Sequence, residues 1–221
     1  MKAMILAAGL GERMRPLTDH CPKPLLTAAD KPLIDYHLEK LAAAGFADVV
    51  VNSAWLSEQL CDYLGRGERY GLQISHSVES EPLETAGGII NALPLLGSEP
   101  FLLINGDVFC DVDFGDFLSC RPQSAELLMV ENPPHHPDGD FSLSADGKLS
   151  ESGSPRYTFA GISVWQPACF AGLAAGRRPL KPIMQNLMSQ GSLRGRLHRG
   201  RWWDIGTPQR LAELDAYLRS A

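Results

Sequence analysis

An α/β domain with a mixed, mostly parallel sheet flanked by helices is what this sequence predicts, on three observations. Short apolar runs at residues 3–7, 48–52 and 101–104 alternate with stretches of helical periodicity, as in strands joined by crossover helices. Polar segments at 9–23, 79–88 and 105–107 follow strand-like runs directly. The first of them concentrates glycines and cations in one turn.

The elements follow in order. Residues 3–7 read as a buried strand. Residues 31–45 place Leu33, Ile34, Leu38, Leu41 and Ala42 on one helical face, and Gly45 is the stop. The VVV run within 48–52 is a second buried strand, and Ser57 caps a helix reaching about residue 64. Residues 71–78 form a third strand that ends in the acidic segment VESEPLE. A short helix at 85–93 precedes the fourth strand, 101–104, and Asn105-Gly106-Asp107. Parallel sheets of this kind wind with right-handed crossovers and bind ligands beyond the carboxyl ends of their strands. All three polar segments fall at that edge.

The second half differs in texture. A strand at 126–130 leads into the loop NPPHHPDGDF, and short strands at 141–143 and 148–151 flank the turn Asp146-Gly147. A strand at 157–165, a helix at 182–190, a strand at 193–198 and a closing helix at 207–219, with Pro208 in its first turn, complete the chain. No repeat, low-complexity tract or linker divides it, so 1–221 is expected to form a single domain.

Composition narrows the function. The chain has 221 residues, 44% of them hydrophobic, and a net charge of −6. An acidic chain is poorly suited to general nucleic-acid binding, which relies on neutralising phosphates. The five cysteines are odd in number and form no CxxC pair, which argues against a disulfide framework or a zinc site. Cys21 lies in the same loop, where a loop-filling role is favoured over that of a nucleophile. There is no signal-peptide pattern and no apolar run near the ~20 residues of a spanning helix, so a cytoplasmic protein without membrane contact is expected.

The segment LAAGLGERMRPLTDHCPKPL carries the chemistry. Gly9 and Gly11 let backbone N–H groups approach an anion, and Arg13, Arg15 and Lys23 supply positive charge around the same turn. The combination points to a polyphosphate cradle and to nucleoside triphosphate chemistry. Arg15 has an equally good reading as the partner of a surface acid.

Gly9-Leu10-Gly11-Glu12-Arg13-Met14-Arg15-Pro16-Leu17-Thr18, followed by Pro22-Lys23-Pro24-Leu25, resembles the signature of the sugar-1-phosphate nucleotidyltransferases. The likeness continues through Asn105-Gly106-Asp107, Phe159-Ala160-Gly161 and Trp203-Asp204-Ile205-Gly206-Thr207-Pro208. It implies a Rossmann-like, glycosyltransferase-A-like fold with a nucleotide part over about 1–110 and a sugar part over about 111–221. The implied partners are a nucleoside triphosphate and a sugar 1-phosphate, with Mg2+ as cofactor.

Residue roles follow from the resemblance. Ala7, Ala8, Gly9, Gly11, Glu12, Arg13 and Lys23 would hold the nucleotide. Arg13 would stabilise the leaving pyrophosphate, and Lys23 would bridge the α-phosphate and the acceptor. Asp107 and Asp204 would share the metal, Asp107 with a catalytic role. Glu79, Ser80, Glu84 and Thr85 are the polar candidates around the base. This stretch departs from the Gln- and Gly-rich pattern of thymidylyl and uridylyl relatives, so base identity stays open. Asn105, Asp140, Glu151, Gly161 and Asp204 are the sugar-side candidates.

The short length and the segment LETAGG resemble most the members that uridylylate N-acetylmuramate α-1-phosphate in bacterial cell-wall recycling. Glucose-1-phosphate thymidylyl or uridylyl transfer and mannose-1-phosphate guanylyl transfer are the alternatives. The lactyl carboxylate of such an acceptor calls for a cation, with Arg156 and Arg201 as candidates. His135-His136 reads as a solvated loop pair, and Trp202-Trp203 as either sugar-stacking or packing residues. Relatives with a further C-terminal extension oligomerise, so this chain is expected to be a monomer.

Rival readings fail on particular residues. A dinucleotide-dependent oxidoreductase needs a third glycine where Met14 stands and an acid where the second strand ends in Asn52. The P-loop pattern GxxxxGK[ST] is absent. A molybdenum-cofactor guanylyltransferase does not carry the PLT and PKPL continuation. A catalytically silent sensor would be expected to have lost Arg13, Lys23, Asp107 or Asp204, and all four are present.

Overall fold

Alternation along the apolar strands divides their side chains between two cores. Ala3, Ile5, Val49, Val51, Leu102 and Ile104 face one cluster of buried side chains, while Met4, Val50, Phe101 and Leu103 face another. Strands covered on both faces need no polar side, which is why they read as continuous apolar runs.

The computed structural model describes residues 1–220. The first half contains β1 (Lys2–Leu6), β2 (Thr27–Ala28), β3 (Lys31–Pro32), α1 (Leu33–Ala43), β4 (Asp48–Ser53), α2 (Ser57–Leu64), β5 (Gln73–Val78), α3 (Glu84–Leu96), β6 (Phe101–Asn105) and β7 (Val108–Cys110). The second contains β8 (Ala125–Val130), β9 (Phe141–Leu143), β10 (Leu149–Ser150), β11 (Arg156–Trp165), α4 (Lys181–Ser189), β12 (Leu193–His198), β13 (Trp202–Asp204) and α5 (Pro208–Ser220).

One nine-stranded sheet runs through both halves. Strands β5, β4, β1 and β6 are parallel neighbours. β11 then pairs antiparallel with β6, and β8 pairs antiparallel with β11, so β8 and its parallel partner β12 run with the first four. The sheet is therefore mixed and mostly parallel. Helices α1 and α2 cover one face through Ile34, Leu38, Leu41, Leu60 and Leu64. Helices α3 and α4 cover the other through Ile89, Ala92, Leu96, Met184 and Leu187. Truncating one of these side chains, as in Leu38→Ala, costs about 3 kcal/mol.

Several boundaries differ from the sequence expectation. Lys31 and Pro32 pair with Thr27 and Ala28 in a two-stranded ribbon, so α1 starts at Leu33. Ser57 does not cap α2: the N-cap is Leu56 at φ +51, with no side-chain cap hydrogen bond. Helix α3 runs past residue 93 to Leu96 with Pro94 inside its last turn. Strands β7 and β13 form a separate antiparallel pair that pattern reading does not reveal. Three residues each are too few for a period to register.

A third apolar cluster holds the glycine turn against α5. Met14, Leu26, Ala28, Leu33, Ile205, Leu211 and Leu214 are its buried members. Trp203 stacks beside Tyr217 and Phe109 at its edge, with ring centroids 4.8 and 5.7 Å away. Trp202 packs against the first cluster and donates from Nε1 to the Ala160 carbonyl at 2.9 Å. The tryptophan pair thus has a packing role.

Candidate active site

The carboxyl ends of β1, β4, β5 and β6 border a cavity of about 550 Å3. Its lining brings together Ala7, Ala8, Gly9, Gly11, Glu12, Arg13, Lys23, Glu79, Glu84, Thr85, Asn105 and Asp107 from the sequence expectations. Ser80, Asp140, Glu151, Gly161 and Asp204 lie outside that lining.

The two glycines of the turn are there for different reasons. Gly11 has φ +65, and a Cβ on it would stand 2.8 Å from Thr18 Cγ2. Thr18 closes that corner by donating from Oγ1 to the Gly11 carbonyl at 2.8 Å, and Trp55 Nε1 donates to the Thr18 carbonyl at 3.0 Å. Gly9 has no protein atom within 4 Å of a Cβ built on it. Nothing inside the chain therefore requires glycine at position 9, and its bare backbone faces the cavity. A concave backbone open to solvent is what an anion needs for close approach.

Two cations flank the turn. Lys23 Nζ lies 2.5 Å from Asp107 Oδ2, and both side chains remain partly exposed. Arg13 reaches toward Gly206: its Nη2 is 3.3 Å from where a Gly206 Cβ would stand. Arg15 instead pairs with Asp19 at 3.4 Å on the surface, so its reading as a surface partner is the one the structure bears out. Burial pushes the Cys21 thiol above its ordinary pKa, which keeps it protonated and unreactive at neutral pH.

A buried polar network supports the opposite wall. Asn52, at the end of β4, accepts from Ala7 N–H through Oδ1 at 2.8 Å. Its Nδ2 donates to Glu79 Oε1 at 2.7 Å, and Glu79 Oε2 accepts from Leu83 N–H at 2.9 Å. Glu79 is 4% exposed, and both its oxygens serve the protein. It holds the 79–83 loop against β1 and β4. In the sequence Asn52 reads only as the end of the second strand; the structure gives it the same placement as Asn105, a polar residue near the carboxyl end of a buried strand at the ligand edge.

This network explains the paired glycines of LETAGG. A Cβ on Gly88 would stand 2.7 Å from Asn52 Nδ2 and Glu79 Oε1. One on Gly87 would collide with the Gly176 carbonyl oxygen. The first turn of α3 is thus packed on one side by the network and on the other by residues 176–178 of the second half.

Asp107 immediately precedes β7, and Asp204 is the last residue of β13. Asp204 is in register with Val108, and Ile205 N–H donates to the Asp107 carbonyl at 2.7 Å. Asp204 Oδ1 is held by Arg210 Nη1 and lies 3.0 Å from His135 Nε2.

Gly161 lies in a bulge of β11, between Phe159 and Ser163, with φ +73. A Cβ there would stand 2.7 Å from Asn105 Nδ2, so the bulge brings bare backbone to the cavity's edge. Asp140 Oδ2 accepts from Phe159 N–H at 2.8 Å, and its Oδ1 is 3.2 Å from His136 Nε2. Both histidines of the loop are exposed, as a solvated pair would be, and each also meets a carboxylate. Glu151 accepts from Gln185 Nε2 at 2.6 Å on the surface. The Arg156 guanidinium is taken up by the carbonyls of Asp138, Gly139, Asp140 and Glu151. Arg201 lies over the Tyr217 ring, 4.9 Å from its centroid.

The chain is 51% identical to the N-acetylmuramate alpha-1-phosphate uridylyltransferase of Neisseria meningitidis serogroup B, over 98% of this chain and 97% of that protein. It is 33% identical to a protein of the same name from Caulobacter vibrioides, over 99% and 97%. A Bacillus anthracis crystal structure, provisionally named a glucose-1-phosphate thymidylyltransferase, superposes with a TM-score of 0.88. At 22% identity it covers 100% of this chain and 96% of its own, which establishes the shared fold. The nucleotidyl transferase family model matches residues 2–220, and the chain belongs to that family.

Proposed function

We propose that this protein transfers a uridylyl group from UTP to N-acetylmuramate α-1-phosphate, giving UDP-N-acetylmuramate and pyrophosphate, as a step of peptidoglycan recycling in the cytoplasm. The observation that carries the reaction is the Lys23–Asp107 pair, 2.5 Å apart, facing the open glycine turn across one cavity. The choice of UTP and of the acceptor rests on the 51% identical Neisseria protein.

The chemistry suits these residues. An oxygen of the sugar phosphate attacks the α-phosphorus in line. The bond from that phosphorus to the bridging oxygen breaks, and its electron pair leaves with pyrophosphate. No proton need move, so catalysis consists of positioning and charge stabilisation. Backbone from Ala7 to Gly11, with Glu12 and Arg13, holds the triphosphate, and Arg13 offsets the charge growing on pyrophosphate. Lys23 lowers the repulsion between the two phosphates. Glu79, Ser80, Glu84 and Thr85 form the base end, Glu79 by positioning the loop. Asn105 and the Gly161 bulge beside it form the sugar end, with Asp140, Glu151 and Asp204 assigned to its rim, outside the cavity lining.

Asp107 and Asp204 fit Mg2+. Both are partly exposed carboxylates, hard oxygen donors of the kind this ion takes, and the hydrogen bond from Ile205 N–H to the Asp107 carbonyl holds their backbones side by side. Among the described residues no cluster of three or more His, Cys, Asp or Glu could hold a metal ion, so the remaining ligands would be water and phosphate oxygens. When bound, Mg2+ supplies positive charge between the two reacting phosphates.

No helix among the described residues is long and apolar enough to cross a membrane. We take the chain to act as a single domain and as a monomer, with nucleotide and sugar parts at about 1–110 and 111–221. A light-scattering mass of one chain is the expected result. Mass spectrometry of a reaction containing UTP, N-acetylmuramate α-1-phosphate and Mg2+ tests the activity. Formation of UDP-N-acetylmuramate supports it, and unchanged substrates with folded protein would remove it.

A further inference from the structure

We propose that Arg177, contributed by the second half of the chain, contacts the nucleobase and helps select it. The proposal deepens the nucleotidyltransferase reading and rests on it. Three cations line the cavity: Arg13, Lys23 and Arg177. Arg13 and Lys23 belong to the glycine turn and to Asp107, the end that suits phosphates. Arg177 stands at the opposite end, where its Nε meets Glu84 Oε1 at 2.8 Å at the start of α3.

Three further observations make this a built feature. The neighbouring backbone is pinned to α3: Arg178 N–H donates to the Leu83 carbonyl at 2.9 Å, and the Arg178 carbonyl accepts from Ala86 and Gly87 N–H at 3.0 and 3.1 Å. Gly87 is bare where the Gly176 carbonyl passes, so the segment seats closely against the helix. Glu84 adopts φ +59, a left-handed conformation that residues other than Gly, Asn and Asp seldom take.

The ion pair does little for the fold. The Arg177 side chain is 73% exposed, and so exposed a pair contributes little to stability. With Nε engaged by Glu84, the planar guanidinium still offers its Nη donors at the cavity lining. A pyrimidine presents carbonyl oxygens that accept from such donors. Uracil carries a carbonyl where cytosine carries an amine, so a fixed donor at that point favours uracil.

The test compares Arg177→Ala with wild type for UTP, CTP and tripolyphosphate. Tripolyphosphate serves as a competitive inhibitor that has phosphates but no base. The expected result is a rise in the KM for UTP of about tenfold, the size of one lost hydrogen bond from a charged donor. The KM for the sugar phosphate and the tripolyphosphate inhibition constant should not change, and the preference for UTP over CTP should narrow. Arg177→Lys should restore only part of the loss, because it lacks the planar fork. An unchanged UTP KM, or an equal loss of tripolyphosphate affinity, would overturn the base contact. Failure of wild-type protein to bind both UTP and tripolyphosphate would instead remove the underlying reading, and the base contact with it.

Discussion

Lys23 Nζ and Asp107 Oδ2 lie 2.5 Å apart although 84 positions separate them in the chain. The pair joins the loop after β1 to the end of β6, at the point where a nucleotide phosphate and an acceptor phosphate would meet. The Lys23 side chain is 13% exposed and that of Asp107 33%, so the pair reaches the cavity while most of the lysine stem is enclosed.

Replacing Lys23 therefore separates activity from folding. Lys23→Ala should lower kcat/KM by at least about a thousandfold, the scale set by losing a preorganised charge on the reacting groups. Thermal unfolding should register a loss of about 1–3 kcal/mol, leaving the protein folded. Pyrophosphate release and a melting curve measure the two effects. Activity within tenfold of wild type would remove the role assigned to Lys23.

The two glycines of the turn should behave in opposite ways. Gly11→Ala puts a Cβ 2.8 Å from Thr18 at φ +65 and should cost about 1–3 kcal/mol. Gly9→Ala meets no protein atom within 4 Å, and stability should stay within about 0.5 kcal/mol. Its effect should fall on the triphosphate KM, because the new methyl group occupies the anion's path. Urea unfolding and steady-state kinetics on both variants decide this. A Gly9→Ala protein with an unchanged KM would contradict the cradle.

Much of this was legible in the sequence, and the omissions share a cause. The apolar runs at residues 3–7, 48–52 and 101–104 announced a sheet covered on both faces, and polar residues at their ends marked the ligand edge. The antiparallel insertion of β11 beside β6 is a pairing choice that a strand's own pattern does not encode. The role of Asn52 is not legible in the sequence, because a buried asparagine is informative only through its partners, Ala7 and Glu79, the latter 27 residues away. Arg177 lies 93 positions from Glu84 and enters the cavity only through the fold.

Asn52 should matter for stability first. Asn52→Ala leaves the Ala7 N–H without its acceptor and Glu79 without its buried donor, and should cost about 2–4 kcal/mol. Asn52→Asp sets a second carboxylate against Glu79 and should be at least as harmful near neutral pH, with relief on acidification. Urea unfolding at pH 5 and pH 8 measures both. An Asn52→Ala protein as stable as wild type would mean that the network does not hold the loop.

His37 should make stability pH-dependent. Its ring is 2% exposed, stacks on Phe114 and leaves Nε2 without a partner. Burial, with the Lys40 charge beside it, pushes its pKa down from 6.5 to about 4. Between those values the unfolded chain binds a proton that the folded one refuses. Stability is thus fully present above about pH 6.5 and is lost as pH falls toward 4, by up to roughly 3 kcal/mol. His37→Leu should remove that part of the acid sensitivity. If wild type and variant lose stability in parallel between pH 7 and 4.5, the buried imidazole is not its source.

The central claim is tested most directly by pyrophosphate release with Mg2+ over a grid of substrates. UTP, dTTP and GTP are each paired with the 1-phosphates of N-acetylmuramate, N-acetylglucosamine, glucose and mannose. The account predicts the highest kcat/KM for UTP with N-acetylmuramate α-1-phosphate, and loss of that activity in Lys23→Ala. Release from no pair by folded wild-type protein, or equal release from the Lys23→Ala variant, would contradict it.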